Sequence, residues 1–180
     1  MRRTWWTSLA LAAVLLAGCS GDPEAREPDP SGSETPEPSA TPPPLPEAAT
    51  QETAEGAASF VDHYLDVMNY ASLTGDTAPL KALSEKDCGG CQDYVEHYEN
   101  RATAGGTVRG GEFSAGEISV APYGTDLSLQ TELTIAAGSV TETAESVEEE
   151  FAASSEVVTL IARFGNGSWR VVQFVPGELP

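Results

Sequence analysis

Basic residues are scarce in this chain. Nine Lys and Arg stand against 28 Asp and Glu, a formal net charge of −19. Such a surface is repelled by phosphate backbones and anionic headgroups, which argues against nucleic acid as a partner. Histidine occurs twice and cysteine three times in 180 residues. With so few soft ligands, no second Cys or His pair stands at the spacing a zinc site needs. No G-x-S-x-G elbow is present, and Glu148-Glu149-Glu150 lacks the alternating Asp/Asn and turn glycine of a calcium loop. Carboxylates are dense enough that neighbours such as Asp62 and Asp66 arise by chance, and these two fall on the polar side of their predicted helix. The sequence thus points to no metal, no cofactor and no catalytic constellation. No apolar run reaches the roughly 20 residues that span a bilayer.

What is present begins at the N-terminus. Arg2 and Arg3 precede an apolar stretch, Trp5 to Ala17, and Leu16-Ala17-Gly18-Cys19 follows at once. This is the layout of an export signal over residues 1–18. Its last four residues resemble the bacterial lipobox, which implies that Cys19 carries a diacylglycerol thioether and becomes the mature N-terminus. Two acyl chains on one residue anchor stably where one binds marginally. The expected location is the extracytoplasmic face of a membrane, held by lipid and not spanning it. Cysteines in that compartment tend to be oxidised.

Residues 20–50 hold nine of the 13 prolines, with Ser, Thr and Glu filling most of the rest. Such a composition predicts a disordered tether with polyproline II character. At about 3.1 Å per residue it reaches roughly 95 Å. Residues 51–180 are enough for a single domain.

Within that domain Ala57, Phe60, Val61, Tyr64, Leu65, Met68 and Ala71 recur at helical spacing and predict a helix ending near Thr74-Gly75, with Asp62, His63, Asp66 and Asn69 on its other side. Asp76-Thr77 caps a short second helix with Pro79 in its first turn. A third helix puts Cys91, Tyr94, Val95, Tyr98 and Ala102 on one face and closes at Gly105-Gly106. The period then changes to two. Strands are expected over Glu117 to Val120, Leu127 to Ile135, Val157 to Phe164 and Trp169 to Val175, the last two joined by the hairpin signal Gly165-Asn166-Gly167-Ser168. The acidic stretch Glu142 to Glu150 is either a loop or an extension into solvent. The expected fold is α+β, three helices packed on one face of a curved four-stranded antiparallel sheet.

The pair Cys88 and Cys91 admits three readings. A redox centre would follow a strand in a βαβ unit, whereas this pair follows a helix and a loop. A metal site would need two further ligands, and His63 and His97 both fall on predicted polar faces. A disulfide closing a four-residue ring, with Gly89-Gly90 taking up its tight backbone, fits the compartment best. Aromatics are the remaining lead. Tyr64, Tyr94 and Tyr98 fall on inward helical faces, Asn69 and Tyr70 lie near the end of the first helix, and Trp169 begins the last strand. These six are the candidate pocket, with plain core packing as their other reading.

The order of elements is similar to the cystatin-like and nuclear-transport-factor-2-like architectures, which host many unrelated functions. A narrower resemblance runs through Pro46-Glu47-Ala48, Ala57, Phe60, Tyr64-Leu65, Asn69-Tyr70-Ala71, Thr74-Gly75-Asp76, Leu80 and Cys88-Gly89-Gly90-Cys91. It covers about residues 46–94 and is to a family of actinobacterial lipoproteins that has no established activity. The expectation is a non-enzymatic binding or interaction module of the cell envelope, its partner a small ligand or an envelope protein. The alternative is an enzyme working in a cone-shaped pocket between helices and sheet.

Overall fold

The computed structural model describes residues 41–177. The export signal, Cys19 and the tether as far as residue 40 lie outside the described residues. Packed structure starts ahead of Gln51. A 3-10 turn, Ala48–Thr50, buries Ala49, and the Gln51 carbonyl beyond it accepts a hydrogen bond from Trp169 Nε1 at 3.0 Å.

Helix α1, Ala54–Thr74, opens where the Thr53 hydroxyl accepts from the Gly56 N–H at 3.0 Å and closes at Gly75. A Ser or Thr oxygen in that position satisfies one of the orphan donors of the first turn. The predicted stripe is buried, Phe60, Val61, Tyr64, Leu65 and Met68 among it. One assignment is corrected: His63, expected on the polar face, is 4% exposed. The reason is that α1 touches the 3-10 turn and both other helices as well as strands, so its buried arc is wider than the apolar spacing indicates. Helix α2, Ala78–Leu83, carries Leu80 into the core. Its cap comes from Asp76, whose Oδ1 accepts from the Ala78 N–H at 3.1 Å. Thr77 contributes no cap bond and donates to Glu99 instead.

Helix α3, Gly89–Thr103, follows the cysteine pair. Cys88 and Cys91 are disulfide-bonded, with Cα atoms 5.3 Å apart. The part played by the two glycines is not the expected one. Neither has a positive φ, and both belong to the first turn of α3. Gly90 is small because a β-carbon there would stand 2.1 Å from the Phe174 carbonyl oxygen, while at Gly89 it would meet nothing within 4 Å.

Among the described residues eight strands, not four, follow. They are β1 Gly105–Gly110, β2 Phe113–Ala115, β3 Ser119–Tyr123, β4 Asp126–Ile135, β5 Gly138–Thr143, β6 Glu149–Phe151, β7 Ser154–Gly165 and β8 Ser168–Pro176. They form two antiparallel sheets, one ordered β1-β5-β6 and one ordered β2-β4-β7-β8 with β3 also on β4. The expected β3, β4, β7 and β8 are present, and the Asn166-Gly167 turn joins the last two with φ of 53° and 78°, as a type I′ hairpin requires. The acidic stretch belongs to a hairpin, β5 and β6.

The registers show how the two sheets relate. Phe113 faces Ile135, and three residues back Gly110 faces Gly138. Ile135 also faces Ser154, and three residues on Gly138 faces Phe151. No residue is gained or lost across either gap. The Ala136 N–H still donates to the Glu112 carbonyl at 3.0 Å between the sheets. The sheets are therefore two ends of one three-stranded ribbon, bent at Gly110-Gly111, Ala136-Ala137 and Ala152-Ala153. Gly110 and Gly111 have φ of 67° and 74°, angles that a residue with a β-carbon resists. Both ends of the bent structure touch α3, β1 and β5 from one and β8 from the other. Among the described residues no helix is long and apolar enough to cross a membrane.

Two predictions follow from this packing. Gly90→Ala forces α3 away from β8 and lowers unfolding free energy by about 1–3 kcal/mol, whereas Gly89→Ala is neutral or stabilising by up to about 1 kcal/mol; equal denaturant midpoints for the two variants would refute the close approach. The second concerns pH. Burial lowers the pKa of His63 from 6.5, with Asp66 opposing the shift. A lowered histidine pKa means that the unfolded chain binds the proton more readily, so stability is full above that ordinary value and declines as pH falls through it. Measured unfolding free energies should drop between neutral and mildly acid pH in the native chain and stay flatter in His63→Gln, and identical slopes would refute the role.

Candidate functional site

Between α3 and the concave side of the ribbon lies a cavity of about 210 Å³. Helix α3 supplies Tyr94, His97, Tyr98 and Arg101, and α1 supplies Ser72. The ribbon supplies Val108, Phe113, Ile135, Val140 and Phe151 as apolar wall, with Glu142 beside them. The bend makes this site, because strands on both sides of it contribute walls. β2 is fixed by a two-way clip to α1: the Asn69 amide donates to the Phe113 carbonyl at 2.9 Å, and the Phe113 N–H donates to Asn69 Oδ1 at 2.8 Å.

The six candidate pocket residues separate. Tyr94 and Tyr98 line this cavity. Asn69 holds its wall in place through the clip. Tyr64 is core: it is fully buried, its hydroxyl is 3.0 Å from Ser84 Oγ, and burial pushes its pKa up to about 12. Tyr70 closes the end of α1 by donating to Asp76 Oδ2 at 2.9 Å, a bond that holds its own pKa above the ordinary tyrosine value. Trp169 packs on Phe60 and Phe164 and lines a different hollow of about 260 Å³ with Asp126 and Thr53. A third hollow, about 340 Å³, lies at the start of α3, bordered by Gly90, Asp93, Glu156 and Phe174 and sharing Tyr94 with the first.

The apolar spacing of α3 points Ala102 inward and overlooks Arg101, and the structure reverses the two. Arg101 is 6% exposed and Ala102 is exposed. The helical signal was available, since Arg101 stands one turn beyond Tyr98 and two beyond Tyr94. Its charge hid it. The guanidinium lies 5.5 Å from the centre of the Tyr98 ring, a cation–π contact. It donates to the Ser72 carbonyl at 2.8 Å and to Ser72 Oγ at 3.0 Å, and meets His97 Nε2 at 3.2 Å. A side chain at Gly106 would strike the Arg101 stem at 2.7 Å, so the chain passes closely over it.

The Tyr98 hydroxyl is the unusual feature. It is buried and has no hydrogen-bond partner among the described residues. Burial drives its pKa upward, with Tyr94 adding and Arg101 opposing, so it stays protonated as a donor. A buried polar group without a partner is rare and calls for an explanation. His63 Nδ1 is unpartnered too, but it does not line this cavity. Among the described residues no three His, Cys, Asp or Glu converge as a metal would need.

The model of a protein family described as of unknown function, DUF6318, matches residues 30–174. The chain belongs to that family. No curated protein matches it. Among solved structures the intermembrane space region of the chloroplast protein ARC6 is similar over 70% of this chain and 97% of its own, at 10% identity and a TM-score of 0.54. That likeness shows a shared fold. Two others are more distant. One is an NTF2-like protein with a cystatin-like fold from Novosphingobium aromaticivorans, at 10% identity over 72% of this chain and 92% of its own, TM-score 0.39. The other is Bd1075 of Bdellovibrio bacteriovorus, at 8% identity over 72% of this chain and 44% of its own, TM-score 0.44.

The two buried tyrosines of this DUF6318 domain should respond oppositely to loss of the hydroxyl. Tyr64→Phe breaks a buried bond and costs about 1 kcal/mol, whereas Tyr98→Phe removes an unmatched polar group and is neutral or stabilising. Denaturant unfolding of both variants checks this, and a destabilised Tyr98→Phe would mean that its hydroxyl has a partner in the free protein.

Proposed function

We propose that the protein is a lipid-anchored, extracytoplasmic binding module that takes a small ligand in the cavity between α3 and the bent ribbon. One observation carries the reading: an apolar-walled cavity of about 210 Å³ bordered by Arg101, a buried cation that is in none of the ion pairs among the described residues. Binding sites are concave and mostly apolar, with a few convergent polar groups that fix orientation. The volume lies below the roughly 300–1,000 Å³ of drug-sized sites, which favours a ligand of about ten heavy atoms. The polar groups at the wall are one histidine, one arginine, two tyrosines, one serine and one glutamate. That set favours holding a ligand over catalysis, since the residues contain neither a carboxylate pair nor a nucleophile beside a base.

The anchor reading rests on the lipobox-like Leu16-Ala17-Gly18-Cys19 and on the proline-rich stretch behind it. Such a stretch lets a domain held at a surface sample a layer about as thick as the tether is long. The disulfide between Cys88 and Cys91 is consistent with an oxidising compartment.

Two measurements test the reading. The native chain should fractionate with membranes and incorporate labelled fatty acid, and Cys19→Ser should abolish both; a soluble, unlabelled native chain would sink the anchor. Native mass spectrometry of gently purified protein should show a small adduct that disappears in Val140→Phe, which fills the cavity. An adduct indifferent to that substitution would remove the cavity from consideration.

A further inference from the structure

Building on the cavity reading, we infer that the ligand is a small organic acid, its carboxylate held by Arg101 and its apolar body against Val108, Ile135, Val140 and Phe151. Arg101 is buried to within 6% of full enclosure. None of the ion pairs among the described residues includes it. Its partners are a carbonyl, a hydroxyl, an imidazole nitrogen and the face of an aromatic ring. Those neutral contacts aim the guanidinium and leave its charge uncompensated. A cation taken out of water without a counter-ion is costly, and an acid entering the cavity would remove that cost.

The geometry also says which anion. Guanidinium presents its donors as a planar fork that matches a carboxylate, and charge-assisted bonds of this kind are about twice as strong as neutral ones. Tyr98, one turn before Arg101 on α3, lines the same cavity while its hydroxyl is shut off from solvent. A carboxylate has two oxygens with several acceptor positions, enough for the fork of Arg101. Most of the remaining wall is hydrocarbon, so the rest of the molecule should be apolar. Glu142 is the carboxylate in the wall that opposes this reading. It is exposed and forms no ion pair with Arg101, so water solvates its charge.

The test uses the full mature chain carrying Cys19→Ser, ¹⁵N-labelled and titrated separately with phenylacetate, phenylacetamide and phenethylamine. The expected result is saturable binding of the acid, with shifts at the amides of Val108, Val140 and Phe151 and at Arg101 Nε. The amide should bind about tenfold more weakly, the ratio that one charge-assisted bond contributes. Arg101→Lys, which keeps the charge and loses the fork, should weaken the acid by several-fold. If acid, amide and amine bind alike, or the amine binds best, the carboxylate inference falls while the cavity stands. If none binds at these residues, the small-ligand reading falls with it. An unchanged affinity in Arg101→Lys overturns the part given to the guanidinium fork.

Discussion

Three strands that keep their register through a bend are the constraint from which the rest of this domain follows. A sheet that slipped at the bend would turn every side chain beyond it to the opposite face. Here Val108 and Val140 stand paired on one side of the bend, and Phe113 and Ile135 stand paired on the other. All four reach the same cavity. The bend is made cheaply, by two glycines in left-handed backbone and by alanine pairs on the neighbouring strands. Bulkier residues there would either straighten the ribbon or break its ladder. The wrapped space is what α3 occupies, and what α3 leaves unfilled is the candidate site.

The helices are fixed against that ribbon by contacts of different kinds. Asn69 grips the backbone of β2 just past the bend, a polar clip that depends on direction. At the far end, Gly90 lets the first turn of α3 approach the Phe174 carbonyl, where any side chain would collide. The disulfide fixes the entry to the same turn. A ring so short removes little chain entropy, about 2 kcal/mol in the loop-closure view. Its main effect is local: it holds the start of the helix that carries Tyr94, Tyr98 and Arg101. Position, not bulk stability, is the quantity these three devices share.

What could be read from the sequence divides along the same line. The stripe of α1, its end at Gly75 and the Asn166-Gly167 hairpin are local rules, set by a few neighbouring residues, and all three appear in the structure. The strands β1, β5 and β6 are not written locally. Gly105–Gly110 contains one large apolar residue, and Glu149–Phe151 is acidic and exposed but for Phe151. They are strands because partners across the ribbon complete their hydrogen bonds, information that lies dozens of residues away. His63 and Arg101 were misplaced for a related reason. A helical period shows where hydrocarbon goes, and both are polar residues buried by the number of elements around them. Tyr94 and Tyr98 stand out in the sequence because tyrosine on an apolar face already marks a half-polar environment.

An acidic protein built around a buried cation invites an objection, since a net charge of −19 should repel the anion it is said to hold. The magnitudes decide it. At physiological salt the Debye length is about 8 Å, so surface carboxylates further away are largely screened. A contact pair at about 4 Å in an environment of effective dielectric near 20 interacts by roughly 4 kcal/mol before desolvation is subtracted. The distant field therefore slows the approach of an anion more than it opposes the bound state. Discrimination also benefits. Polyanions would meet the whole acidic surface, whereas a small monoacid presents one charge and hides it at Arg101. The acidity of the chain and the sign of the cavity thus act at different ranges, and the two together select for a small, singly charged ligand.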